Sequence, residues 1–305
     1  MAKAPPAPAG KLFELPATTT LGLCVASRTL CVAEYRARIR RFEIDSGREL
    51  NALPIADAAW LGTARDRMVC ASSAGFDVKD LDGNVLAALE RPSNAAFTWR
   101  AQAIDRSGTI VCGTHGPSAY VWDARTGKIV LGYEDIGDVD IVPSPDGAMV
   151  AIVSGKKPMW IASTKDGALV ELPEGRLRTR NQVAWAPDSS ELVVYSYTQA
   201  VVFDVKARTA KARFKLLSPF TCLYVPVHDV FLCGGQKRIS LWDATTWESR
   251  GEVPISAPQL ATTEAGDRII TCSGDAPIMV WDAGQLIGSA TTKQPKSPAA
   301  KPASS

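Results

Sequence analysis

Apolar and polar residues alternate along this chain in short runs, and clusters of Gly, Pro, Asp, Asn and Ser separate the runs. Alternation with a period of two is the pattern of half-buried β-strands, and turn residues between such runs read as hairpins. The clearest case is SAYVWDARTGKIV at 118–130. Residues 118–122 are β-rich, 123–127 supply polar turn chemistry ending in Gly127, and 128–130 begin a second run. Glycine suits that turn because positive φ costs it nothing sterically. The phrase recurs as ISLWDATTW at 239–247 and IMVWDAGQL at 278–286, with weaker copies at 39–47, 75–83, 158–167 and 201–210.

Aligned on the position of Trp122, the phrases bring Phe42, Val78, Trp122, Ala162, Phe203, Trp242 and Trp281 into register. The steps between them are 36, 44, 40, 41, 39 and 39 residues. A period of about 40–45 residues carrying Trp-Asp is the mark of four-stranded propeller blades. On these phrases, and on the dipeptides Trp122-Asp123, Trp242-Asp243 and Trp281-Asp282, the chain resembles the WD-repeat family over about residues 11–289. It departs from the family in having no Gly-His pair. The expected fold is all-β, a seven-bladed β-propeller of four-stranded antiparallel blades.

Blade 1 takes strands near 21–26, 29–34, 38–44 and 48–53, and the set repeats through blade 6, which takes 220–225, 230–234, 238–243 and 248–253. Blade 7 has runs at 258–262, 268–273 and 277–282 but no convincing fourth. The missing strand is expected from the other end of the chain. GKLFELP at 10–16 matches GALVELP at 167–173, the outer strand of blade 4, in five of seven positions. Residues 11–15 are therefore expected to close the ring in blade 7, with Leu12, Phe13 and Leu15 packed into it; 285–289 is the runner-up. Outside the propeller, 1–10 is an Ala/Pro-rich arm and 290–305 a Lys/Pro/Ala/Ser tail, both expected to be disordered. Ser144-Pro145-Asp146-Gly147 and Ala186-Pro187-Asp188-Ser189 read as turns between the inner two strands of blades 4 and 5.

Formal net charge is +2 and hydrophobic residues make up 46 %, so bulk charge points to neither nucleic acid nor membrane. No run approaches the roughly 18–20 apolar residues of a membrane span. The N-terminus makes a poor signal peptide, because its short apolar stretch is cut by Pro5, Pro6 and Pro8. A cytoplasmic protein is expected. Five of the seven cysteines, Cys31, Cys70, Cys112, Cys233 and Cys272, recur in the second strand of their blades. They read as small buried hydrophobes rather than disulfide partners or zinc ligands. No metal or cofactor is expected.

An enzyme needs a constellation of acid, base, nucleophile or metal. The two histidines, His115 and His228, fall toward opposite faces of the ring. No nucleophile elbow, phosphate loop or zinc-protease motif occurs. Asp123, Asp243 and Asp282 belong to the repeated phrase and are expected to accept backbone hydrogen bonds in turns. Trp122, Trp242 and Trp281 are expected in the core, and Trp185 as a wedge between blades. Trp99, after the longest connection, is either a contact residue on the rim of the channel or another wedge.

The remaining signal is charge. On the face formed by the connections between blades and by the loops between second and third strands, blades 4 to 6 contribute Lys156, Lys157, Arg176, Arg178, Arg180, Lys237 and Arg238. The loop before blade 4 carries Glu134, Asp135, Asp138 and Asp140. Arginine is favoured at interface hot spots. The resemblance to WD-repeat proteins implies a non-catalytic scaffold for protein partners. The basic sector suits an acidic or phosphorylated segment. Two alternatives stand beside it: nucleic acid or another polyanion lying across blades 4 to 6, and an enzyme with its site in the central channel.

Overall fold

The computed structural model describes residues 9–16, 20–34, 38–55, 60–72, 75–91, 99–115, 117–137, 139–154, 158–172, 182–274 and 276–291. Their strands form seven four-stranded antiparallel sheets, and the fold is a seven-bladed propeller. The inner strands are Thr20–Ala26, Trp60–Ala64, Trp99–Ile104, Val139–Pro143, Gln182–Trp185, Thr221–Val225 and Gln259–Thr262. The outer strands of blades 1 to 6 are Glu49–Leu53, Val85–Ala88, Ile129–Tyr133, Leu169–Leu172, Thr209–Lys215 and Ser249–Val253. Blade 7 ends in Ile278–Asp282, and its outer strand is Lys11–Leu15 from the start of the chain.

That closing pair runs antiparallel, with Phe13 opposite Val280, Glu14 opposite Met279 and Leu15 opposite Ile278. Leu15 is buried, and Phe13 packs on a cluster that joins Ile270, Ile278 and Val280 of blade 7 to Leu30, Val32 and Phe42 of blade 1. The Phe13 ring also meets the turn of blade 1, where a Cβ on Gly47 would lie 2.9 Å from it. Leu12 does not join the core; it is 45 % exposed. Side chains alternate across a strand, so Leu12 cannot share the face of Phe13 and Leu15, and the register shifts between Lys11 and Phe13. Residues 285–289, the runner-up for this place, lie within and just after a short helix, Ala283–Gly288, capped by Asp282, whose carboxylate accepts from Gln285 N at 2.9 Å. The chain then returns to blade 6, where Thr291 bridges to Glu252. Residues 1–8 and 292–305 lie outside the described residues.

Blade junctions are tied by polar as well as apolar contacts. Arg41 is buried in the basic third strand of blade 1. It donates to Asn51 O at 2.8 Å and reaches Leu81 O and Asp82 of blade 2. Arg40, also buried, holds Glu49 through two bonds of 2.7 and 2.6 Å. Trp185 wedges between blades as expected, donating to Val142 O of blade 4 at 3.1 Å. Trp122 likewise reaches back to Glu90 O of blade 2 at 2.9 Å. Trp122 and Trp281 are buried, but Trp242 is only half-buried. The next tryptophan along, Trp247, takes the core position and stacks on Phe214 at 5.5 Å, and Trp242 lies over the same ring at 4.4 Å. The two expected proline turns form, closed by Gly147 N to Ser144 O and Ser189 N to Ala186 O, each 2.9 Å.

Fully burying a Phe or Leu side chain is worth roughly 1.5–3 kcal/mol. Deleting residues 1–16 removes two such anchors and the whole closing ladder, so the variant is expected to aggregate through the exposed edge of Ile278–Asp282. Size-exclusion chromatography checks this. Within the strand, Leu15→Ala is expected to cost about 2–4 kcal/mol and Leu12→Ser less than about 0.5 in denaturant melts.

Candidate interaction surface

The strand order gives the ring two faces. One carries the turns between first and second and between third and outer strands; call it the turn face. The other, the loop face, carries the connections between blades and the loops between second and third strands. His115 ends a strand on the loop face, and His228 lies in the short 3-10 turn Pro226–His228 on the turn face, so the two are separated as expected.

On the turn face the carboxylates serve the fold. Asp123 accepts from Arg125 N and Thr126 N at 2.9 and 2.8 Å, and Asp204 accepts from Ala207 N at 2.6 Å. Asp243 accepts from Thr245 N and Thr246 N at 2.9 and 2.8 Å and also holds Arg250. The mouth of the channel on this face is a depression of about 390 Å³ to which all seven blades contribute. Its two carboxylates are engaged as well. Asp105 is buried and accepts from Thr109 N at 2.7 Å and Ile110 N at 2.5 Å. Glu264 of blade 7 pairs at 2.9 Å with Arg106 of blade 3, almost diametrically across the ring. Buried thiols are equally quiet: burial pushes Cys31 and Cys70 up to about 12.

The loop face holds the residues singled out from the sequence. Lys237 is exposed there. Arg238 is not a free cation: its guanidinium pairs with Glu252 of the outer strand at 2.6 Å. The pair has a simple cause, since Arg238 precedes a strand whose pairing partner brings Glu252 alongside. Lys156, Lys157, Arg176, Arg178 and Arg180 lie outside the described residues, as does the side chain of Trp99, whose backbone pairs with His115. In the acidic sector Glu134 accepts from Ser118 Oγ at 2.9 Å and Tyr120 OH at 2.8 Å, while Asp138 is outside the described residues.

What sequence reasoning missed is apolar. Tyr197, Leu217 and Phe220 are 46, 65 and 40 % exposed, on the loop face of blades 5 and 6. Ser218 N donates to Tyr197 O at 2.7 Å and Phe220 N to Gly234 O at 2.8 Å, which draws the three residues and the Gly235–Lys237 corner together. The signal was present in the chain. The outer strand of blade 5 alternates exposed Lys211, Arg213 and Lys215 with Ala212, Phe214 and Leu216, and a second leucine directly after Leu216 has to point out.

The amides of Thr246 and Thr245 and the Arg250 guanidinium hold the Asp243 carboxyl well below the usual range, Thr246 contributing most. Folding lowers this pKa. Its stabilisation is therefore fully present above the unfolded value of about 3.9 and is lost as pH falls through the folded value. Asp243→Ala is expected to lower Tm at pH 7 by roughly 1–4 °C, from about 0.5–2 kcal/mol for a lost amide acceptor. The gap from wild type should narrow as melts are taken from pH 4 towards pH 2.

No protein-family model and no curated protein matches the chain.

Proposed function

We propose that this chain is a WD-repeat-like, non-catalytic scaffold of the cytoplasm that docks a protein partner on its loop face. The observation that supports the reading is the exposed apolar group Tyr197, Leu217 and Phe220 beside Lys237. Contiguous exposed apolar surface rimmed by polar groups marks protein contacts, and a rigid ring opposes docking with little ordering entropy. The basic residues Arg176, Arg178 and Arg180 would add an acidic or phosphorylated segment of the partner to that contact through bidentate guanidinium bonds. Seven free cysteines, six of them buried, fit a reducing compartment. Among the described residues no helix is long and apolar enough to cross a membrane.

Quantitative affinity capture from native lysate, with and without nuclease, tests the proposal. The Tyr197→Ser/Leu217→Ser double variant changes only exposed side chains, and a second bait reverses Arg176, Arg178 and Arg180 to Glu. A protein partner retained after nuclease and reduced at least about tenfold by the double variant is expected, since central apolar anchors each cost more than about 1 kcal/mol when removed. Recovery that vanishes with nuclease would establish the polyanion reading instead.

A further inference from the structure

The junctions between blades follow one rule. At the junctions into blades 1 to 4 and blade 6, the turn between third and outer strands of the later blade meets the outer strand of the earlier one, through a residue of positive φ; blade 7 has no such turn, because its outer strand comes from the start of the chain. Gly47 meets Phe13, Gly83 meets Leu53, Gly127 meets Ala88 and Gly167 meets Leu131. The fit is tightest at Gly127, where a Cβ would fall 2.0 Å from Ala88 O, so the two backbones are in direct contact. In blade 6 the position is held by Trp247, whose ring fills the space against Phe214. Each of these residues seals its junction, by backbone contact or by an aromatic plug.

Blade 5 breaks the rule. Its positive-φ position is Arg208, whose N–H donates to Asp204 O at 2.8 Å as Gly127 N–H does to Asp123 O at 2.9 Å. Arg208 is exposed and plugs nothing. Opposite it blade 4 offers the small side chains of Ala168, just before its outer strand, and Val170 within it. An open groove of about 700 Å³ results, within the size range of ligand sites. Its floor is Met149, Ile161, Val170, Leu172 and Val205, and its rim carries Asp166, Asp204, Lys206 and Arg208.

The rim carries two anions and two cations, and the two kinds differ in what they offer a ligand. Asp204 accepts from Ala207 N at 2.6 Å and Asp166 from Ala168 N at 3.2 Å, so both carboxylates serve their own turns. Lys206 and Arg208 are exposed and form no ion pair among the described residues. The free donors at the groove are therefore cations, set beside an apolar floor. One wall, Leu169–Leu172, is the outermost strand of its sheet and pairs on one side only, with Met159–Ser163. An extended chain can run along such an edge and place alternate side chains in the adjoining groove.

We propose that the groove between blades 4 and 5 is a second binding site, specific for an extended peptide segment with apolar residues for the floor and an Asp or Glu side chain for Lys206 and Arg208. It lies on the turn face and is independent of the loop-face surface.

Selection of phage-displayed random dodecapeptides on the full chain tests this, followed by fluorescence-anisotropy titration of the enriched peptides. Two variants probe the site, each at exposed positions: Ala168→Trp fills the groove, and Lys206→Glu/Arg208→Glu reverses its rim. Enriched peptides are expected to combine apolar residues with Asp or Glu and to lose at least tenfold in Kd with either variant. They should change less than twofold with Tyr197→Ser/Leu217→Ser. A peptide with its acidic residues changed to Lys should regain binding to the charge-reversed chain. The proposal is overturned if nothing enriches above bare resin, if the enriched peptides carry no acidic residue, or if their Kd is unchanged in both groove variants. Failure here leaves the loop-face capture result untouched, and the reverse also holds.

Discussion

A ring of separate sheets stands or falls on how its ends meet. Here the strand Lys11–Leu15 is hydrogen-bonded to blade 7 while its chain leads directly into blade 1, so the last junction is a ladder on one side and covalent on the other. The neighbouring contacts all reinforce it. Phe13 and Leu15 belong to a cluster shared by both blades, and Asp282 N donates to Gly10 O at 2.8 Å. Arg28 in the first turn of blade 1 holds both oxygens of Asp267 in blade 7 at 2.9 Å and also reaches Asp45. The ion pairs are half-exposed and contribute little on their own. Their effect is to fix the angle at which an apolar strand, worth far more, is presented. An open ring would lose that angle at every blade, because each blade is positioned mainly by its two neighbours.

Within the closed circle, one turn position decides how tightly each of blades 1 to 6 is joined to the blade before it. Where it is glycine, backbone can lie on backbone, and the left-handed conformation is free of strain. The close approach of Gly127 to Ala88 also brings Glu90 N to Gly127 O at 2.7 Å, a hydrogen bond between blades that a side chain at 127 would prevent. Trp247 reaches the same end by bulk. Arg208 does neither, and the result is the open groove on the turn face described above. Sealing and opening thus use the same backbone geometry and differ only in the side chain at one position.

Much of this was legible in the sequence. Period and turn residues placed the strands within a residue or two, because alternation and turn chemistry act locally. The closing strand was legible because it repeats the outer strand of blade 4 almost letter for letter. What failed depends on partners far along the chain. Hydrophobicity alone puts Leu12 inward, yet Phe13 and Leu15 occupy the inner face and Leu12 is exposed. Arg40 and Arg41 are buried because Glu49 and the carbonyls of Asn51 and Leu81 await them, and only the folded blade puts those acceptors in reach. The pairing of Arg238 with Glu252 is hidden from the sequence for the same reason. Trp242 lost its core place to Trp247 because the turn of blade 6 turns its last residue inward, which no periodicity reports.

Carboxylates illustrate how a fold can imitate a site. The turn after each third strand leaves amide N–H groups without intrastrand partners, and an aspartate at the strand end satisfies them. Asp80, Asp123, Asp204 and Asp243 all do this, and Asp282 does it for a helix. Their number is therefore set by the number of blades and carries no information about catalysis. The same holds for the buried cysteines and the repeat tryptophans. Functional information must sit in residues the architecture does not require, and these are few. Tyr197 and Leu217 expose apolar surface where a solvated loop would serve the fold equally well. Lys206 and Arg208 pair with no described acidic residue and stand beside an apolar floor, at a turn where glycine in place of Arg208 would have sealed the ring. Both departures come from blade 5, one on each face, so a single blade could join two partners on opposite sides of a rigid body.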